Sequence, residues 1–211
     1  MNRHFTLSTP QGPLHGYLER PEQPRGLMLI AHIERTDRGD LIATGLVAQG
    51  YATLNMELLT ARERQFADTA QNVPRLSQRL LDLLDLLRDD GDTEDLPLAL
   101  FAAGDVTPAA IRVAAQRDMQ VRVLACHGGL IDRAGRQALE LMNAPLLMLF
   151  DADDDLNQAA FRRARSHLHG PYSELVLAAD EDAEPYIGAW LARHLPAVAD
   201  GNGSAELGLR D

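Results

Sequence analysis

The stretch that decides the fold reads LPLALFAAGDVTPAAIRVAAQR and covers residues 96–117. Its first part, residues 96–102, is apolar and too short for a helix, which favours a strand buried on both faces of a sheet. Its last part, residues 107–117, predicts a helix with Thr107 as the N-cap and a proline at the first helical position. A buried strand followed by a tight turn and a helix is the unit from which parallel sheets are built.

The same pattern recurs along most of the chain. Short runs rich in apolar residues predict further strands at 27–31, 51–56, 121–126, 144–150 and 173–177. Helical spacing of apolar residues predicts helices at 40–49, 76–87, 139–142, 157–168 and 183–195. The first twenty residues alternate around a Pro-Gln-Gly turn and predict a hairpin. We therefore expect an α/β fold with a mainly parallel, doubly wound sheet flanked by helices and an N-terminal antiparallel hairpin.

The length of 211 residues suits one domain. No internal repeat or linker divides the body of the sequence. We expect a single domain over residues 1–195, followed by a flexible tail over residues 196–211, which are mostly small and polar.

The composition argues against several classes of protein. The chain has 31 acidic and 20 basic residues, for a formal net charge of −11. A field of that sign repels phosphate, so nucleic-acid binding and binding to anionic membranes are not expected. All basic residues are arginines, which excludes lysine chemistry such as a Schiff base or a phosphate-loop lysine.

The single cysteine, Cys126, excludes a disulfide within the chain and a zinc site built from several cysteines. The first twelve residues contain no apolar core of signal-peptide length, and no apolar run approaches the length of a membrane span. We expect a soluble, cytoplasmic protein, and nothing in the sequence points to a cofactor.

Polar residues follow the predicted buried strands and would meet at one edge of the sheet, where ligands bind in such folds. They are His32, Glu57, Gly104 with Asp105, His127, and the aspartates at 151, 153, 154 and 155. Histidines and carboxylates together suit acid–base chemistry. They also suit metal binding, and polar loops are ordinary in an acidic protein.

Several local strings occur in an order that resembles a known family. They are LIAH at 29–32, QGYATL at 49–54 with ELLT at 57–60, LALF at 98–101, and APLLML at 144–149 before an aspartate-rich loop. On these strings the chain resembles the α/β-hydrolase superfamily, in the branch around dienelactone hydrolase, over roughly residues 5–195. The resemblance implies an α/β-hydrolase fold.

The residues at the expected catalytic positions depart from that family. Its enzymes carry G-x-S-x-G in the turn after the third buried strand, where strain exposes the nucleophile. The resemblance puts Gly104 in the nucleophile's place, and the turn contains no serine. A shift of one residue would put Asp105 there instead. Asp154 falls at the place of the family's acid.

The family's base and oxyanion hole have no clear counterpart either. Residues 178–185, where the resemblance places the catalytic histidine, contain none. The segment after His32 reads Ile-Glu-Arg-Thr, and the carboxylate of Glu34 would oppose a developing oxyanion. The three departures together predict that ester hydrolysis by the family's triad has been lost.

Three hypotheses from different classes follow. In the first, the protein is a non-catalytic binding or interaction member of the fold. Its partner is a small anionic molecule or a protein, including a second copy of this chain. Arg35 and Arg38 are suited to hold a carboxylate. Under this hypothesis the ligand-binding residues are His32, Glu34, Arg35, Glu57 and Gly104.

The second hypothesis is a hydrolase with a rebuilt site. Asp105 is the nucleophile, His127 the base and Asp154 the acid that orients it. A third alternative is a metal site built from His32, His127 and Asp105, with Glu57 or Asp154 nearby.

Overall fold

An eight-stranded sheet organises the protein, whose computed structural model describes residues 1–179 and 181–195. The strands are β1 (Asn2–Thr9), β2 (Gly12–Glu19), β3 (Leu27–His32), β4 (Ala52–Glu57), β5 (Leu98–Ala103), β6 (Val121–His127), β7 (Leu146–Asp151) and β8 (Tyr172–Leu177). Their order across the sheet is β1-β2-β4-β3-β5-β6-β7-β8. β1 and β2 form an antiparallel hairpin, and β2 pairs antiparallel with β4. All other neighbours are parallel, which confirms the predicted fold class.

Helices cover both faces of the sheet. They are α1 (Asp37–Ala48), α2 (Ala67–Ala70), α3 (Val73–Arg88), α4 (Thr107–Gln116), α5 (Arg136–Leu141), α6 (Asp155–Ala164) and α7 (Glu184–His194). α1 and α7 pack on one face, and α3, α4, α5 and α6 pack on the other. The predicted flexible tail, residues 196–211, lies outside the described residues.

The central strands are apolar throughout because both of their faces are covered. Every residue of β3 is buried. Leu29 and Ala31 contribute to the core under α3 and α4, whereas Met28 and Ile30 contribute to the core under α1 and α7. Two separate cores therefore fix the sheet from both sides and hold its carboxyl edge in place.

Among the residues that the structure describes, no helix has the length and apolar character needed to cross a membrane. The segment between β4 and α3, which has no clear periodicity, contains a 3-10 turn at Glu63–Gln65 and the short α2. The buried ion pair between Glu63 and Arg79, at 2.7 Å, anchors this segment to α3.

Candidate functional site at the carboxyl edge of the sheet

The turn from β5 to α4 stands at the centre of this edge. β5 ends at Ala103, and a 3-10 turn at Gly104–Val106 leads into α4. Gly104 has a φ of +54°, in the left-handed region that favours glycine. A Cβ atom added to Gly104 would have no other atom within 4 Å. The tip of the turn is therefore occupied by Gly104, not Asp105, and it faces open space.

The end of β6 packs closely beneath this turn. Gly129 has a φ of +90°, and a Cβ atom placed there would lie 2.2 Å from the carbonyl oxygen of Gly104. Thr107 donates a hydrogen bond from its hydroxyl to the carbonyl oxygen of Gly128, at 3.0 Å. The prediction of Thr107 as an N-cap was wrong, because the 3-10 turn makes Val106 the cap and directs the Thr107 hydroxyl across to β6.

Two histidines flank Ala103 on the face of the sheet that carries α1. Ala103 lies opposite His127 in the register of β5 and β6. His32 lies one residue beyond the paired Ala31 and Ala102, and so neighbours Ala103 on its other side. Since adjacent strands are about 4.8 Å apart, the backbones at the two histidines are about 10 Å apart. Ala103 therefore lies between the two histidines along the edge of the sheet.

His127 is held by Asp151 and Arg38. Its Nε2 atom lies 3.2 Å from Oδ1 of Asp151. Nη1 of Arg38 lies 2.8 Å from Nδ1 and 3.1 Å from Nε2 of the same ring. Because one atom cannot lie close to both ring nitrogens within the plane of the ring, Nη1 of Arg38 lies over the face of the ring. Arg38 also donates a hydrogen bond to Asp151, at 3.3 Å.

This environment favours a neutral imidazole beside an ionised carboxylate. Burial lowers the pKa of His127 below 6.5, and the positive charge of Arg38 lowers it further. Burial by itself would raise the pKa of Asp151, but His127 and Arg38 together bring that pKa below its ordinary value. A neutral histidine of this kind is able to accept a proton or a hydrogen bond.

Asp154 does not make the contact that the sequence predicts for an orienting acid. It caps α6, accepting hydrogen bonds from the backbone N–H of Asn157 at 3.3 Å and from the side-chain amide of Asn157 at 2.8 Å. The carboxylate that touches His127 is Asp151, the last residue of β7.

His32 is buried at the end of β3. It is 6% exposed, and its Nε2 atom has no hydrogen-bond partner in the described structure. Burial lowers its pKa below 6.5, against the opposing charges of Glu57 and Asp40. Glu57 itself is occupied elsewhere, because it pairs with Arg64 at 3.2 Å and accepts from the backbone N–H of Arg35.

A cavity of about 370 Å³ opens beside the tip of the turn. Sites for small molecules have volumes of about 300–1,000 Å³, so this one is of sufficient size. It is lined by residues from the loop after β3, the start of α1, α2 and the end of β5: His32, Ile33, Glu34, Thr36, Arg38, Gly39, Ala70, Phe101, Ala103, Gly104 and Asp105.

Arg35 does not line this cavity, and its guanidinium pairs with Asp40 at 2.8 and 2.9 Å. The side chain of Asp105 is 41% exposed, and Arg133 is its ion-pair partner at 3.9 Å. The structure thus brings His32, Glu34, Gly104 and Asp105 to one cavity, and it places His127 beyond Ala103 and under Arg38.

The described residues support neither a metal site nor a reactive cysteine. Within residues 1–179 and 181–195, no group of three or more histidine, cysteine, aspartate or glutamate side chains is arranged to hold a metal ion. The described structure does not bring His32, His127 and Asp105, the residues of the metal alternative, together as such a group. Cys126 is fully buried, and burial raises the pKa of its thiol to about 12 despite a hydrogen bond with Thr107. It is not a reactive thiolate.

The shape of the chain is that of solved ester hydrolases. A dienelactone hydrolase from Anabaena variabilis superposes with a TM-score of 0.83 and 24% identity, covering 93% of this chain and 99% of that one. A cold-adapted esterase from an Arctic intertidal metagenomic library superposes with a TM-score of 0.72 and 16% identity, covering 92% and 94%. The protein has the α/β-hydrolase fold. The predicted similarity of its fold to that of dienelactone hydrolase is thereby confirmed.

Sequence comparison adds two relatives of this α/β-hydrolase-fold protein. Both are proteins of Mycobacterium tuberculosis, from strains CDC 1551 and H37Rv, that carry a provisional name as phosphoribosyl transferases. Each is 32% identical over 162 residues, or 75% of this chain. The chain spans 36% of their length. No profile of a known protein family matches the chain.

Proposed function

We propose that this protein is a non-hydrolytic member of the α/β-hydrolase fold that binds a small molecule in the cavity beside Gly104. One observation carries the proposal. The tip of the turn after β5, where α/β-hydrolases present their nucleophile, is occupied by a glycine with open space around it. A residue without a side chain supplies no nucleophile. A cavity large enough for a small molecule nevertheless lies beside it.

Two further features support loss of the ester chemistry. Residues 178–185 contain no histidine that could act as the base, and His127 lies under Arg38 and beside Asp151. Glu34 lines the cavity in the loop after β3. Its negative charge would disfavour an oxyanion developing there.

The direct test is turnover of activated esters such as p-nitrophenyl acetate and p-nitrophenyl butyrate. We expect hydrolysis no faster than in buffer alone, and no change when Asp105→Ala or His127→Ala is introduced. Sustained turnover that either substitution abolishes would overturn the proposal and establish a catalytic site.

The rebuilt hydrolase, with Asp105 as nucleophile, His127 as base and Asp154 as orienting acid, is the alternative. Its geometry is less favourable, because Asp105 pairs with Arg133, and Asp154 caps α6. An aspartyl nucleophile forms a covalent ester that water then cleaves at its carbonyl, which leaves one solvent oxygen in the carboxylate. A single turnover in water enriched in heavy oxygen, followed by mass spectrometry of the peptide containing Asp105, detects that label.

The partner of the site is a separate question. The provisional name of the mycobacterial relatives belongs to proteins of which the chain spans 36%. A carboxylate ligand held by Arg35 and Arg38 stays a prediction, and both guanidinium groups are paired with aspartates of the chain. A protein partner or a homodimer also stays a prediction, which light scattering of the purified protein tests.

A further inference from the structure

One wall of the cavity beside Gly104 belongs to a short segment with little packing of its own, residues 66–71, which we call the α2 strap. Ala70, in this strap, lines the cavity and is half-buried at the edge of the core. No residue of the α2 strap is fully buried, and the ring of Phe66 is 56% exposed. A helix as short as α2 is not stable alone, so its position depends on contacts with neighbouring elements.

Both ends of the α2 strap are anchored. Before it, Glu63 is buried and pairs with Arg79 at 2.7 Å. After it, Asn72 caps α3 by accepting a hydrogen bond from the backbone N–H of Arg75, and Val73 is buried. A segment with two fixed ends and an exposed middle can open locally while the rest of the fold stays intact.

One distant side chain holds the α2 strap in place. Arg133 lies in a 3-10 turn, Ile131–Ala134, that follows β6. Its Nη2 atom donates a hydrogen bond to the carbonyl oxygen of Gln71 at 2.9 Å. Among residues 1–179 and 181–195, no other side chain forms a hydrogen bond or an ion pair with the α2 strap. The position of this wall therefore depends on Arg133 and on the contact of Ala70 with the core.

The same guanidinium also reaches the wall formed by the turn after β5. Its Nη1 atom lies 3.9 Å from Oδ1 of Asp105, which lines the cavity. Arg133 thus links the wall that carries Asp105 to the wall that carries Ala70. Arg133 and Asp105 are each about one-third to two-fifths exposed, so water can replace both contacts at small cost.

From this geometry we propose that the α2 strap is a movable wall of the cavity and that Arg133 is the clasp that keeps it closed. When the hydrogen bond to Gln71 breaks, the α2 strap moves outward, carries Ala70 with it and widens the cavity. The inference rests on the proposed binding cavity and concerns access to it. It depends neither on the class of ligand nor on the loss of ester chemistry.

The first test uses a cysteine in the cavity as a reporter of access. Ala103→Cys places a thiol in the wall of the cavity, whereas the native Cys126 is fully buried and stays silent. Its reaction with 4,4′-dithiodipyridine, an uncharged reagent, is timed in this variant alone, with Arg133→Met and with Arg136→Met. Arg136→Met is the matched control, because it removes a neighbouring arginine whose partner is Glu140 of the same helix.

We expect Arg133→Met to raise the rate of labelling about fivefold, the effect of losing one exposed hydrogen bond from a charged donor. Arg136→Met should change the rate less than about twofold. Equal rates in the two double variants would overturn the proposal.

Hydrogen exchange measured by mass spectrometry locates the change in the chain. In Arg133→Met, peptides covering the α2 strap should exchange about fivefold faster, and peptides of β5 and α3 should exchange as in the unmodified protein. Unchanged exchange of the α2 strap would overturn the proposal. Faster exchange throughout the chain would do so too, because the substitution would then act by destabilising the whole fold. Neither measurement uses an ester or a ligand, so its failure is distinct from failure of the proposed function, which ester turnover decides.

Discussion

The arrangement of the turn after β5 can be tested by adding a single methyl group at each of two glycines. Gly104→Ala and Gly129→Ala are the same chemical change at positions that both have positive φ, +54° and +90°. They differ in what the new methyl group meets. At Gly104 it meets nothing within 4 Å, whereas at Gly129 it lies 2.2 Å from the carbonyl oxygen of Gly104 and 2.6 Å from Cβ of Thr107.

The expected losses of stability follow from these distances. A left-handed conformation costs an ordinary L-residue about 1–2 kcal/mol, and Gly104→Ala adds only that strain. Gly129→Ala adds the same strain and also forces backbone atoms apart, for about 1–3 kcal/mol more. We therefore expect a loss of about 1–2 kcal/mol at Gly104 and about 2–5 kcal/mol at Gly129.

Urea unfolding followed by circular dichroism measures both losses, and thermal unfolding provides a check. A domain of this size shifts its Tm by about 2–4 °C for each kcal/mol. The reasoning is refuted if Gly104→Ala costs as much as Gly129→Ala, because the tip would then not face open space. It is refuted equally if Gly129→Ala is harmless, because the turn would then not pack on the end of β6.

Three further predictions concern buried groups. Glu63→Gln should lower the free energy of unfolding by about 3–5 kcal/mol, because it leaves the charge of Arg79 buried without its partner; urea unfolding measures this. Cys126, with its pKa near 12, should not react with a chromogenic thiol reagent at mildly alkaline pH until the protein is unfolded. Burial lowers the pKa of His32 and His127 below 6.5, so the unfolded chain binds protons there that the folded chain does not. Their contribution to stability should be complete above about pH 6.5 and decline as the pH falls below it. His32→Gln should flatten that decline between about pH 7 and pH 5 in urea unfolding, and an unchanged slope would contradict the assignment.

Those parts of the fold that depend on burial could be predicted from the sequence. The run at 27–31 is apolar at every position because β3 is covered on both faces, and this signal gives the strand to within one residue. Local capping was less predictable. α1 begins at Asp37, not at residue 40, because Thr36 accepts a hydrogen bond from the backbone N–H of Gly39 and so caps the helix early. The first turn of α1 has a polar surface, and apolar periodicity does not detect it.

The site was predictable only to the level of the sheet edge. The topology of parallel strands brings His32, Gly104 and Asp105 together at that edge, and their positions at strand ends were sufficient to find them. The partner of His127 was not predictable in the same way. Asp151 ends β7 and Asp154 lies three residues later. The choice between them depends on α6, because Asp154 is the N-cap of that helix and Asp151 is left beside the histidine. The contacts of Arg38 with His127 and of Arg133 with Asp105 had no sequence signal, since they arise from long-range packing.

The structure also separates the shape of the turn from the chemistry that such turns serve. The close approach of Gly129 and the hydrogen bond from Thr107 to Gly128 fix the turn from below, through backbone atoms and a hydroxyl that do not face the cavity. These contacts do not require a nucleophile at the tip. A side chain at Gly104 would in fact add strain, because its φ is +54°. The presence of the turn is therefore evidence for the fold alone, and the activity has to be argued from the side chains that line the cavity. Those side chains include the carboxylates of Glu34 and Asp105 and the guanidinium of Arg38, and Gly104 itself supplies no attacking group at the tip.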